Sequence, residues 1–157
     1  MDVLTRLDAI EHIKQLKARY FRGADTKDKG LFRSVFAEDA TADYRGSENN
    51  PRTGSSIDHN QSPTQSLIVG ADEITDAVFR ALAPLVTVHH GCMPEITILD
   101  DHRASGIWPM VDRIQPAYAA SFTEGIGWGH YHETYEKIGG EWKIKTLRLT
   151  RLRVEVR

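Results

Sequence analysis

The sequence predicts an α+β fold in which helices pack against one face of a mainly antiparallel sheet. Three observations carry that prediction. Apolar residues recur at helical spacing through the first half of the chain and at strand spacing afterwards. Helices first and strands second is the order that segregates helices to one side of an antiparallel sheet. At 157 residues the chain makes one core of ordinary size, where two would each be thin, so residues 1–157 are read as a single domain.

The elements follow in order. Residues 4–22 carry Leu4, Leu7, Ile10, Ile13, Leu16 and Tyr20 at spacings of three and four, with Glu11, Lys14, Gln15, Lys17 and Arg19 on the other face. Gly23 is the expected stop. A short helix over 29–36 turns Leu31, Phe32, Val35 and Phe36 inward, and 40–45 reads as a strand. Residues 46–66 are polar, with Ile57 the one aliphatic, and are expected to be a mobile surface loop or a lid that gates a pocket. Residues 70–85 form a third helix on Ile74, Ala77, Val78, Ala81 and Leu82, which Pro84 helps to end. Segments 87–91, 94–99, 104–114, 117–122, 128–138 and 141–156 read as strands, with Gly139-Gly140 as a hairpin turn.

Composition excludes several classes. Lys and Arg total 20 against 22 Asp and Glu, a net charge of −2, so no basic excess exists to neutralise the phosphates of a nucleic acid. The apolar runs are too short to cross a membrane, and the first residues lack the pattern of a signal peptide. One cysteine, Cys92, rules out an internal disulfide, and the chain is read as cytoplasmic. Glycine-rich phosphate loops, a dinucleotide fingerprint, the Gly-x-Ser-x-Gly elbow and paired Cys-x-x-Cys are all missing, so nucleotide hydrolysis, Rossmann redox chemistry and serine-esterase chemistry lack support.

Four groups of residues carry chemistry. Tyr20 sits on the apolar stripe, where a buried phenol finds a hydrogen-bond partner; Asp25 follows it, as a cap for the next helix or as a site carboxylate. His89 and His90 are adjacent on a strand and point to opposite faces, so one faces the interior, where it can take or give a proton near neutral pH. His130, His132 and Glu136 share one strand parity, with Glu133 nearby, and their His-x-His-x-x-x-Glu spacing resembles a cupin metal motif; without the companion motif it is read as a solvent-facing His/Glu stripe, with no metal. On the last strand Arg151 ends the row Leu147, Leu149, where it is either a surface charge or a pocket cation; Asp112, after Trp108, is either an edge charge or an inward carboxylate.

Taken in order, these residues resemble a known family. The run from Ala9 to Arg22 with Asp25 behind it, the segment His89-His90-Gly91-Cys92-Met93-Pro94-Glu95-Ile96-Thr97-Ile98, Trp108 with Asp112-Arg113, and Tyr131 through Trp142 are similar to SnoaL-like proteins of the nuclear-transport-factor-two-like superfamily. Within it the likeness is greatest to the branch of bile-acid 7α-dehydratase and scytalone dehydratase. The resemblance implies a cone: a strongly bent sheet wrapped around helices, enclosing an apolar pocket, in a homodimer or homotrimer. It further implies His89 and Asp25 as a proton-transfer pair, Tyr20 as a pocket tyrosine, and Asp112, Arg151 and Trp108 on the substrate. Cys92 stands where some members carry a second histidine.

The expected activity is a cofactor-free dehydratase or isomerase acting on an apolar ring substrate such as a steroid or polyketide, with a neutral His89 as base, Asp25 fixing its tautomer and Tyr20 bonding the oxyanion. The alternative is a non-catalytic small-molecule binding protein on the same fold. Tryptophan and tyrosine residues are expected on the outer face of the sheet, where a second subunit covers them.

Overall fold

The computed structural model describes residues 2–54, 66–118 and 122–157. Three helices, α1 (Val3–Asp25), α2 (Lys29–Ser34) and α3 (Ala71–Leu82), lie with seven strands: β1 (Phe36–Asp43), β2 (Ile68–Val69), β3 (Leu85–Gly91), β4 (Glu95–Ile98), β5 (Arg103–Pro116), β6 (Gly125–Ile138) and β7 (Glu141–Val156). The strands form one curved sheet in the order β2-β1-β7-β6-β5-β3, with β4 also on β5. β1 runs parallel to β7, and every other pair is antiparallel. β2 and β3 end the order without pairing to each other, so the sheet curls without closing.

Local chemistry explains the boundaries. The carboxylate of Asp2 accepts from the backbone N–H groups of Leu4 and Thr5 and starts α1. α1 does not stop at Gly23, which lies inside it at the crossing with α2: a Cβ there would press on the backbone of Phe32. The chain turns two residues after Asp25, at Lys27, whose φ is 58°, and Asp28 then caps α2 by accepting from Leu31 N–H at 2.9 Å. Phe36, expected on a helix, opens β1, beside Ile144 of β7. Gly139 and Gly140 have φ of 59° and 88°, the pair of positive values that a two-residue hairpin turn requires between β6 and β7. Residues 117 and 118 of the expected strand 117–122 are a bend, and 119–121 lie outside the described residues.

The core lies between α1 and the concave face of the sheet: Ile13, Leu16, Tyr20 and Ala24 meet Trp108, Met110, Tyr131, Tyr135, Leu147 and Leu149. Two expectations fail here. Leu4 and Leu7 are exposed, because the apolar stripe of α1 begins before the sheet that covers it. Four large aromatics of the strands are inside, since Trp108, Trp142, Tyr131 and Tyr135 are all buried; Trp128, next to inward Gly127, faces outward and is half-buried beneath the Arg153 guanidinium. Besides Trp128, the outer face exposes Val86, Val88 and Ile107.

Candidate active site

Asp25 is the last residue of α1, and its carboxylate reaches β3. It accepts from the ring Nδ1 of His89 at 2.6 Å, from the backbone N–H of His89 at 2.8 Å and from the Thr87 hydroxyl at 2.9 Å. Thr87 and His89 share the inward parity of β3, and His90 is exposed on the other face. The Lys27 ammonium donates to the Thr87 hydroxyl at 3.0 Å and to the Ala24 carbonyl at 3.2 Å.

Burial pushes the Asp25 carboxyl up. The hydrogen bond and charge of His89, with the bonds from its backbone and from Thr87, outweigh that and hold it below its ordinary value. An ionised Asp25 accepts only, so Nδ1 carries the proton, an assignment inferred from the network. In the neutral ring Nε2 then presents a lone pair, and no partner meets that atom among the described residues. The ring of Phe21 stacks on the imidazole with centroids 5.9 Å apart and planes at 15°. Gly91 leaves room for that ring, since a Cβ there would overlap Phe21.

The phenol of Tyr20 is buried and lies 3.0 Å from the hydroxyl of Tyr44; its ring meets that of Tyr131 at 5.6 Å. Burial first, then Tyr131 and Tyr44, keep the Tyr20 phenol well above its ordinary pKa, so it is a hydrogen-bond donor at neutral pH.

Asp112 is inward, buried, and the register partner of both His89 on β3 and Gly127 on β6. Arg151 forks onto it at 3.2 and 2.7 Å, donates to the Ser47 carbonyl at 2.6 Å, and approaches the sulfur of Met110 at 3.4 Å. A side chain at Gly127 would overlap both members of that pair, so glycine makes the space for it. Trp108 is buried and donates its indole N–H to the Tyr135 hydroxyl at 2.7 Å.

Asp25 and His89 thus meet directly, with Tyr20 linked through Phe21, its edge-on neighbour 5.6 Å away. Asp112 and Arg151 meet each other across the adjoining strands. His132 is exposed against Thr150, and no cluster of three metal-ligating side chains occurs among the described residues.

Sequence reasoning missed an ion pair. Lys17, assigned to the outer face of α1, and Glu133, noted only beside the His/Glu stripe, are 1% and 0% exposed and bonded to each other. The signal was present: Lys17 continues Ile13, Tyr20 and Ala24 on one helical stripe, and Glu133 alternates with Tyr131 and Tyr135 on the inward row of β6. Burial pulls the Lys17 ammonium down, to about 8, against the opposing effect of Glu133. Tyr44 and Thr87 were missed too.

The start of the 46–66 loop is held by polar anchors. Asn50 is buried; its amide donates to the Val154 carbonyl at 2.7 Å and accepts from Arg52 N–H at 2.9 Å. Residues 55–65, the rest of the expected lid, lie outside the described residues. A surface groove between Arg6, Ile98, Leu99, His102 and Glu136 lies at the opposite end of β5 from Asp112.

Comparison with known proteins places the chain in a family. The family model of the SnoaL-like domain matches residues 5–148. The chain belongs to the SnoaL-like domain family. That family sits in the nuclear-transport-factor-two-like superfamily. A probable cyclase of Gibberella zeae is 26% identical over 92% of each chain. A candidate scytalone dehydratase of Novosphingobium aromaticivorans superposes with a TM-score of 0.77 at 18% identity, over 99% of this chain and 92% of that one. A hexachlorocyclohexane dehydrochlorinase of Novosphingobium barchaimii does so at 0.76 and 17%, over 99% and 94%. These structural likenesses establish the shared SnoaL-like fold. No helix among the described residues is long and apolar enough to cross a membrane.

Proposed function

We propose that this SnoaL-like chain is a cofactor-independent lyase or isomerase that moves a proton on an apolar ring substrate of the steroid or polyketide kind. The observation that carries the reading is the 2.6 Å contact between Asp25 and the Nδ1 of His89, which leaves Nε2 without a partner among the described residues. His89 Nε2 removes the proton α to a carbonyl. Asp25 holds the tautomer and stabilises the imidazolium. Tyr20 donates to the enolate oxygen, where a dry setting makes the bond strong. In a dehydration the C–H electron pair becomes the new double bond, the β C–O bond breaks, and the hydroxide leaves as water with the proton from the imidazolium. In an isomerisation the same proton returns to the γ carbon.

The probable cyclase, the candidate dehydratase and the dehydrochlorinase support this class of chemistry by name. Arg151 is bidentate on Asp112, which favours an uncharged substrate over a carboxylate for that side of the site. The chain is proposed to act as a homo-oligomer through the outer sheet face.

Exchange in D2O tests the reading. Cyclic ketones, including β-hydroxy ketones, are incubated with the protein, and loss of the α-proton signal is followed by NMR. The wild type should accelerate exchange on at least one ring ketone, and His89→Ala should abolish the acceleration. Saturable binding of such rings with no exchange would establish a binding protein instead.

A further inference from the structure

One ionised cluster has no part in the proton transfer above. The Lys17 ammonium and Glu133 carboxylate are sealed from solvent and in direct contact. Three aromatic faces surround the ammonium: Tyr131 at 3.5 Å from its centroid, Tyr20 at 4.0 Å and Phe21 at 4.9 Å. Glu133 is gripped from the sheet side, where the Tyr135 hydroxyl donates to it at 2.6 Å and the Trp108 indole donates to that hydroxyl in turn. Each ring around Lys17 leads to the candidate site. Tyr20 carries the phenol, Tyr131 packs against Tyr20, and Phe21 stacks on His89.

As a source of stability such a pair is poor. The cost of removing both charges from water is recovered only by very good geometry, and apolar residues of similar volume often do as well or better. An ammonium supplies something that an apolar side chain does not: simultaneous attraction to several π faces, each of which fixes where a ring lies.

We propose that Lys17, clamped by Glu133, is a positioning residue that fixes the ring planes of Tyr20, Phe21 and Tyr131, and through Phe21 the imidazole of His89. It touches no substrate. The proposal rests on the proton-transfer reading only in its kinetic part.

The test is Lys17→Met combined with Glu133→Gln. Methionine fills the volume, glutamine keeps an acceptor for the Tyr135 hydroxyl, and no lone buried charge remains. Thermal unfolding, aromatic 13C–1H NMR spectra and kinetics on a ketone that the wild type turns over are measured together. The double variant should fold with an unchanged unfolding temperature. The ring signals of Tyr20, Tyr131 and Phe21 should shift and show faster ring flips. Turnover should fall by about 10²-fold, the scale for a small misplacement of reacting groups, with KM nearly unchanged. A folded double variant with wild-type ring signals and wild-type kcat would overturn the proposal. A double variant that does not fold would overturn it too, by making the pair a support of the core. If the wild type turns over no ketone, the proton-transfer reading fails and the ring signals decide alone: moved signals support the positioning role, unmoved signals end it.

Discussion

α1 sends two charged side chains to the sheet, and the two meetings differ. Lys17 meets Glu133 with both groups closed off, and each remaining polar or π contact is filled from inside the protein. Asp25 meets His89 with the pair still partly open, 21% and 9% exposed, and one ring nitrogen without a partner among the described residues. If the proposed reading holds, burial does not mark the reactive group, and the mark is an open valence beside a saturated partner, which here belongs to His89.

Breaking the two pairs should give opposite results. His89→Ala and Asp25→Asn should each lower turnover by about 10²- to 10⁴-fold, the range for general base catalysis. Their combination should be little worse than the poorer single variant, since members of one unit are not additive. His90→Ala, on the exposed side of β3, should be mild; a larger loss there than at His89 would remove the contrast. Glu133→Gln alone leaves the Lys17 ammonium buried without its counter-charge. It should cost about 3–5 kcal/mol in urea unfolding, while Asp25→Asn, at a half-open site, should cost about 1–2 kcal/mol. Equal stability losses would show that openness does not separate the pairs.

Two smaller effects sharpen the comparison. Gly127→Ala should destabilise by about 1–3 kcal/mol, the usual cost of overpacking, because the methyl group meets Asp112 and Arg151. The acid limb of stability should contain an Asp25 contribution. Its folded pKa lies below the ordinary value of 3.8, so its stabilisation is present above that pH and is lost as pH falls through the folded value. Chemical denaturation across pH 2–6 should show a shallower acid limb for Asp25→Asn than for the wild type.

What the sequence made legible was short-range. Parity alone puts one of His89 and His90 inside, and the 3.6-residue period puts Tyr20 on the buried face of α1. The Gly139-Gly140 turn follows from local backbone chemistry. What it hid depends on distant partners. Lys17 reads as a surface charge until Glu133, 116 residues away, neutralises it. Leu4 and Leu7 read as core because a helical period does not tell where the covering sheet ends. Gly23 reads as a stop because its real role, clearance for Phe32, lies on another helix. The polar run after Arg45 hides its anchor because Asn50 holds by hydrogen bonds rather than by apolar burial.

The parallel pairing of β1 with β7 has a consequence for how the molecule is made. β1 leaves the ribosome well before its register partners, from Ile144 to Arg148. Asp25 waits for His89, 64 residues on, and Lys17 waits longer still for Glu133. Loops of that length must close before their contacts reward them, which slows folding. The helix therefore emerges with Lys17 still hydrated, and the ammonium loses its water only when the β6–β7 hairpin arrives to receive it. Arrival of β6, rather than helix formation, sets the moment at which the Lys17–Glu133 pair comes into being.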